Sequence, residues 1–338
     1  MTMKAIHLNR FGIGNLTLVD IPRPEPAGYE VLVRITAAAI QYLDNIVIEG
    51  TIIPDLPLPH IPGCEGAGVV ESVGQHVTRW KKGDRVIIPF IQRWAAGQLT
   101  PWQNEIRTGV QIPGALCEYA VQPENTLVRA PENLTDEEAA TLPVIGLTAW
   151  SNLVSQAKIR AGQVILIQGS GAVSLFALQI ARVFGLKIIA TTGSKENESK
   201  LRSLGAEEVI NYREKKDWSK EVKRLNGGVG VDITLDIGGM QTVQQSILSC
   251  RENAYVGLVG FLTGSEITVD VHYLIMNNIR LQGYTVGHAQ DLEGLVSAIA
   301  ANNNLRPLID SIFPIKNTQE AFQLLKSGHA FGRIVIRI

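Results

Sequence analysis

Val164-Ile165-Leu166-Ile167-Gln168-Gly169-Ser170-Gly171-Ala172-Val173-Ser174-Leu175-Phe176-Ala177 is the stretch that decides the fold. An apolar run breaks at two glycines and resumes with helical spacing. That pattern predicts a parallel strand, a tight turn and a helix N-terminus. The first turn of a helix leaves backbone N–H groups without partners, and the helix dipole adds partial positive charge there. A pyrophosphate satisfies both needs. Glycine at 169 and 171 lets such a ligand approach the backbone. Ser174 stands where the dinucleotide fingerprint has its third glycine. The same turn also occurs as a purely structural strand–helix connection.

Lys187-Ile188-Ile189-Ala190-Thr191-Thr192 predicts the next strand. In an NADH site its end carries an Asp or Glu, about 20 residues past the first glycine, that accepts from the ribose hydroxyls. Here the end reads Thr192-Gly193-Ser194-Lys195, and no carboxylate follows until Glu196. A hydroxyl and an ammonium suit a 2′-phosphate, which an aspartate repels. The cofactor predicted is therefore NADPH. A solvated residue at a helix start accounts for Lys195 equally well, but not for the missing acid.

A chain of 338 residues is too long for one compact core, so two domains are expected. Apolar content of 45% and charged content of 19% fit a globular protein. A net charge of −1 argues against nucleic acid or an anionic membrane as an obligate partner. The apolar stretches are of strand length, far short of a membrane span. Met1-Thr2-Met3-Lys4-Ala5-Ile6 enters a strand pattern without a signal-peptide core, so a cytoplasmic location is expected. Cys64, Cys117 and Cys250 are scattered, which speaks against a disulfide framework or a four-cysteine zinc lobe.

The first 125 residues read as β-rich, with runs at 31–35, 67–73 and 85–88 punctuated by Gly and Pro. The middle alternates. Strands are predicted at 164–169, 187–192, 207–212, 232–237, 253–260 and 279–286, with helices such as Leu175 to Phe184 and Lys195 to Leu204 between them, the latter closed by Gly205. Alternation of this kind predicts an α/β fold, a Rossmann doubly wound parallel sheet of six strands. The tail offers helices at 292–301 and 318–327 and a last strand, 333–338. A filled sheet has no place for that strand, so it is expected to return to the first domain. The boundaries expected are 1–125 plus 289–338 for one domain and 126–288 for the NADP-binding domain.

Gly63-Cys64-Glu65-Gly66-Ala67-Gly68, Gly74, Val77 and Gly83-Asp84-Arg85-Val86 resemble the signature of the zinc-containing medium-chain alcohol dehydrogenases. One fixed position differs, because Cys64 stands where that signature has a zinc-binding histidine. Gly169 to Gln179, Leu204-Gly205-Ala206, Ile210-Asn211-Tyr212-Arg213 and Phe331-Gly332-Arg333 are similar to the quinone oxidoreductase-like branch of the medium-chain dehydrogenase/reductase superfamily. The resemblance spans essentially the whole chain. It implies a GroES-like barrel for the β-rich domain, and a homodimer. The apolar strand at 279–286, at the sheet edge, invites pairing with a second copy.

The resemblance places the three ligands of a catalytic zinc at Gln41, Cys64 and Val144. Valine cannot bind metal, and a glutamine amide is a poor zinc ligand, so no zinc is expected. Cys64 then reads as a small buried hydrophobe or as a reactive thiol. Without a metal, NADPH can still reduce a quinone or an α,β-unsaturated carbonyl, whose electrons delocalise onto oxygen. Hydrogen-bond donors meet that charge. The catalytic candidates are Tyr42 and Gln41, with Tyr42 open to a second reading as a packed aromatic. Asp44, Asn45, Cys64, Trp94, Trp102 and His288 are candidates for the substrate pocket. The tryptophans read as a lid or aromatic wall, or as dimer or surface contacts.

For the cofactor, the resemblance implies Ser170, Gly171, Ala172 and Val173 at the pyrophosphate. It implies Ser194, Lys195 and Tyr212 around the 2′-phosphate, and Thr148 near the nicotinamide carboxamide. Gly238 and Gly260 are candidates for the ribose side, Phe261 and Val286 for the nicotinamide. Arg333 reads as a phosphate or pocket residue, or as a plain strand-edge arginine. The function expected is an NADPH-dependent, zinc-free reductase of quinones or enones. The alternatives are an alcohol or aldehyde dehydrogenase of the same superfamily, and a non-catalytic NADPH-binding sensor or structural protein.

Overall fold

The computed structural model describes all 338 residues and divides them into two compact units. One comprises residues 1–147 and 288–338, the other 148–287. Residues 126–147 and His288, assigned from the sequence to the nucleotide-binding domain, cluster with the first unit instead. Thr135 explains part of this. It caps the short helix at 136–139 in a reciprocal capping box with Glu138, and Glu138 is held by Arg306. No helix is long and apolar enough to cross a membrane.

The first unit begins with the antiparallel pair β1 (Thr2–Leu8) and β2 (Leu16–Pro22). Then come β3 (Glu30–Ile40), helix α1 (Tyr42–Ile48), β4 (Glu65–Val73), β5 (Arg85–Ile88), α2 (Pro101–Asn104), β6 (Tyr119–Pro123) and β7 (Val128–Arg129). β3 carries the core. Eight of its eleven residues are aliphatic, and the run from Ala37 to Ile40 is buried on both faces. That suits a strand with neighbours on both sides.

The second unit is built on β8 (Val164–Gln168), β9 (Lys187–Thr192), β10 (Glu208–Asn211), β11 (Val231–Asp236), β12 (Cys250–Leu258) and β13 (Arg280–Gly283). Their order in the sheet is β10-β9-β8-β11-β12-β13, and all five neighbouring pairs are parallel. Every residue of β8 is buried, as a central strand of a covered sheet requires. The strand order reverses between β8 and β11, the place where such folds bind ligands. Helix α3 (Ala172–Val183) follows β8, and α4 (Lys195–Leu204) follows β9. Gly205 ends α4 in the left-handed region at φ +119°, as its glycine predicts. α5 (Val271–Met276) precedes β13.

Helix α6 (Ala289–Ala301) and β14 (Ile309–Pro314) return to the first unit, followed by α7 (Thr318–Ser327) and β15 (Arg333–Arg337). β15 lies between β14 and β3 in a seven-stranded sheet, parallel to the former and antiparallel to the latter. The last strand therefore returns to the first domain, as its lack of a place in the parallel sheet predicts.

Candidate active site

The turn after β8 has the geometry its glycines imply. Gly169 sits at φ +72°, where side-chain-bearing residues are strained. A Cβ at Gly169 or at Gly171 would meet nothing within 4 Å, so space stands open in front of the turn. Gly171 is the N-cap of α3, and no side chain caps that helix. The first N–H groups of α3, including those of Ala172 and Val173, thus border open space beside half-buried Ser170. Ser174 replaces the expected glycine at little cost, because its Oγ donates to the Gln168 carbonyl at 2.6 Å. Asn197 Nδ2, which the sequence reading passed over, donates to Ser170 Oγ at 2.8 Å and ties the start of α4 to the turn.

Beneath the turn lies a buried polar network. Gln168 Nε2 donates to Asp236 Oδ2 at 3.1 Å, and its Oε1 accepts from Ile237 N. Asp236, fully buried, accepts from Gly239 N at 2.7 Å and from the hydroxyls of Thr242 and Ser246. A buried carboxylate met by this many donors is stable without a counter-cation. The network fixes the loop that carries Gly238. Neither Gly238 nor Gly260 opens onto free space. A Cβ would lie 2.5 Å from Thr242 Oγ1 at Gly238, and 2.4 Å from the Ile237 carbonyl at Gly260. Their glycine identity therefore follows from packing within the unit and not from a ribose. Phe261 is half exposed. Val286 is buried at φ +35°, a strained value for a β-branched residue. Thr148 is buried, and its carbonyl accepts from Asn152 Nδ2 at 2.9 Å.

At the ends of β9 and β10 the predicted phosphate residues converge. Asn211 pairs with Thr192, and Tyr212 N donates to the Thr192 carbonyl at 3.1 Å. The Tyr212 hydroxyl closes over Gly193, where a Cβ would lie 2.5 Å from it and 3.0 Å from Arg213 Nε. Ser194 caps α4 by accepting from Asn197 N. Lys195 is exposed, 3.8 Å from Glu214. Glu196 turns along the helix to Lys200 at 2.6 Å. Arg213 was not singled out from the sequence, although it follows directly after the Asn-Tyr pair.

In the first unit, α1 organises the second group of candidates. Gln41 is its N-cap, and Gln41 and Asp44 form a reciprocal capping box. Asp44 Oδ2 accepts from Gln41 N at 2.9 Å and Oδ1 from Cys64 N at 2.8 Å. Burial raises the Asp44 carboxyl above its usual value, against the pull of the Cys64 thiol and the backbone donors. Gln41 Nε2 and Asn45 Oδ1 are buried atoms with no protein partner. Such orphans are rare and call for an explanation. Tyr42 is 46% exposed, which removes the reading of an aromatic packed into a barrel wall. The Cys64 thiol is fully buried. Burial, and then the charge of Asp44, push it well above its ordinary value. It is a protonated core group, not a reactive thiolate.

Three other expectations are corrected. Arg333 reaches neither phosphate nor pocket. It is 5% exposed and forms a buried ion pair with Glu65. Trp94 is not a free wall. It is 2% exposed, its Nε1 donates to the Gly97 carbonyl, and its carbonyl accepts from Ala289 N. His288 is the N-cap of α6, accepting from Asp291 N through Nδ1 at 3.0 Å and meeting Trp94 edge-on at 5.5 Å. Trp102 stands 53% exposed on α2. Sequence reasoning also missed Arg107, which is half-buried with a buried Nε that has no protein partner.

Residues 27–132 match the family of alcohol dehydrogenase GroES-like domains, and residues 172–301 match the zinc-binding dehydrogenase family. A zinc-type alcohol dehydrogenase-like protein of Schizosaccharomyces pombe is 33% identical over 325 residues, covering 94% of this chain and 93% of its own length. The chain belongs to the medium-chain dehydrogenase/reductase superfamily. Within that superfamily, the quinone oxidoreductase of Sus scrofa is 27% identical over 343 residues, 99% of this chain and 97% of that protein. The crystal structure of a putative alcohol dehydrogenase from Sinorhizobium meliloti 1021 matches with a TM-score of 0.93 at 36% identity, covering 100% and 99% of the two chains. The chain is thus an oxidoreductase of a superfamily whose members take a nicotinamide cofactor, with a parallel-sheet unit and a β-rich GroES-like unit.

The zinc branch of the superfamily raises the question of a metal. Of its three ligand positions here, Gln41 offers an amide and Cys64 a protonated thiol already engaged by Asp44. Val144 offers nothing, and its N–H donates to Glu65 Oε2 at 3.1 Å. No group of three or more His, Cys, Asp or Glu side chains is arranged to hold a metal ion. This donor set does not fit tetrahedral zinc. The open turn after β8, with its uncapped helix, does fit a dinucleotide pyrophosphate.

Proposed function

We propose that this oxidoreductase uses NADPH to reduce a quinone or an α,β-unsaturated carbonyl, without catalytic zinc. The observation that carries this reading is Gln41, whose buried Nε2 lacks a partner at the position of the zinc branch's first ligand. A buried N–H donor without a partner is costly, and an acceptor oxygen relieves that cost. Asp44 holds the residue by its backbone. When bound, the reduced nicotinamide supplies the hydride. The acceptor's electron pair then moves onto its oxygen, and the Gln41 amide stabilises that charge by a hydrogen bond. A proton from the half-exposed Tyr42 hydroxyl, replenished from water, completes the reduction.

NADPH over NADH is supported by Ser194, Lys195, Tyr212 and Arg213, which gather at the ends of β9 and β10 where a ribose-binding acid is absent. A homodimer is the partner state proposed. β13 ends the sheet with a free edge, although at Arg280–Gly283 it is shorter and less apolar than the run 279–286 suggests. The exposed apolar side chains lie just before it, at Val271, Ile275 and Met276 of α5. A cytoplasmic location accords with the same reading.

The test is NADPH consumption by the purified protein against quinones, enones, enals and simple alcohols, with metal analysis of the same sample. Reduction of quinones or enones without bound zinc supports the proposal. Stoichiometric zinc with alcohol oxidation overturns it, and NADPH binding without any turnover favours a sensor. Gel filtration reads the dimer, and a monomer counts against it.

A further inference from the structure

Arg107 has a guanidinium that nothing in the protein neutralises. Its hydrogen-bond partner is the neutral amide oxygen of Asn104, and no carboxylate lies within ion-pair distance of it. Its Nε is buried without a partner. The other arginine of this region, Arg333, is matched by Glu65. Burial pulls the Arg107 guanidinium below its usual value. Arginine nevertheless stays protonated in proteins, so the charge persists.

The placement of Arg107 is fixed by backbone. Ile91 and Arg107 form a β-bridge, and the Arg107 carbonyl accepts from Val110 N and Gln111 N at 3.1 Å each. The turn they close presses on the Gly63–Cys64 peptide, where a Cβ at Gly109 would lie 2.5 Å from the Gly63 carbonyl carbon and 2.8 Å from Cys64 N. Arg107 thus lies two residues from a glycine packed on the Gly63–Cys64 peptide, and Asp44 accepts from both Cys64 N and Gln41 N. An unpaired, half-buried cation costs stability unless a ligand supplies the counter-charge.

We propose that Arg107 is the anion receptor of this site, and that the physiological acceptor is a conjugated carbonyl compound carrying a carboxylate or comparable oxyanion. The inference rests on the reductase reading above and adds the substrate class. Gln41 meets the carbonyl oxygen, and Arg107 meets a fixed negative group elsewhere on the same molecule. The guanidinium fork matches a planar carboxylate or a sulfonate with two parallel hydrogen bonds. A neutral quinone leaves Arg107 unpaired, so it binds more weakly.

Calorimetric binding of naphthoquinone sulfonate, compared with uncharged naphthoquinone, to the full chain saturated with NADP+ tests this. The wild type should bind the sulfonate more tightly, and the preference should shrink with added salt. Arg107→Met should weaken sulfonate binding roughly ten- to hundredfold, as expected for loss of a charge-assisted pair. It should spare the uncharged quinone and NADP+, and Arg107→Lys should restore part of the loss. Equal affinity of the wild type for both quinones overturns the inference, and this comparison needs no variant to fold. Sulfonate binding unchanged in a folded Arg107→Met protein overturns it as well. Arg107-dependent binding without NADPH oxidation by either quinone upholds Arg107 as the anion receptor, and sinks the reductase reading together with the acceptor class built on it.

Discussion

Glu65 and Arg333 stand 268 residues apart in the sequence and meet as an ion pair inside the first unit, 0% and 5% exposed. The pair joins β4 to β15. Removing one partner of a buried pair strands the other charge, which costs about 3–5 kcal/mol. Arg333→Met should lower stability by that order in denaturant unfolding. Loss of NADPH affinity with unchanged stability would instead return Arg333 to the phosphates.

The same pair gives a pH dependence. Burial pushes the Glu65 carboxyl up from 4.5 to about 7, although Arg333 and the Val144 and Ile145 N–H groups pull it down. Between those two values the folded chain holds a proton that the unfolded chain has released. Its contribution to stability should therefore fall as pH rises from 4.5 to about 7 and level off above. Glu65→Gln should flatten that slope, read from unfolding midpoints across the window. An unchanged slope would mean that Glu65 ionises normally.

For the cofactor, Lys195→Ala combined with Arg213→Ala should weaken NADPH binding roughly tenfold and leave NADH binding within about twofold. The single exposed lysine should contribute less, because solvent screens it. Titration of both cofactors by fluorescence reads the difference, and equal loss of both removes the phosphate assignment.

Gln41→Leu should reduce kcat for quinone or enone reduction by roughly a hundred- to a thousandfold, the range for loss of one oxyanion donor. Its affinity for NADPH should not change, since Gln41 is proposed to meet the acceptor's oxygen and not the cofactor. Steady-state kinetics with direct cofactor binding separate these effects.

Prolonged chelation should leave both turnover and the unfolding midpoint unchanged. Structural or catalytic zinc would register in one or the other.

The parallel sheet was readable because its signals are local. The β8 run, the glycines at 169 and 171 and the C-cap Gly205 each dictate backbone within a few residues. Lys195 was singled out because no acid stands at its strand end, and Tyr212 by the resemblance; the two strand ends that carry them lie side by side. Arg333 misled because its partner, Glu65, lies far away in sequence, and no spacing rule reports a pair across a sheet. Trp94 and His288 misled for a similar reason, since each is consumed by a contact with the other's segment. Arg107 carries no motif at all. Its interest comes from the carboxylate that is not near it, which only three-dimensional placement reveals.

The position of β15 has a consequence for synthesis. The second unit is contiguous, so it can close while the ribosome is still at work. The first unit cannot, because β3 waits for a neighbour translated nearly three hundred residues later. Until then its apolar flank is open to chaperones and to wrong partners alike. Translation of β15, rather than of β3, sets the moment at which this half of the molecule becomes whole.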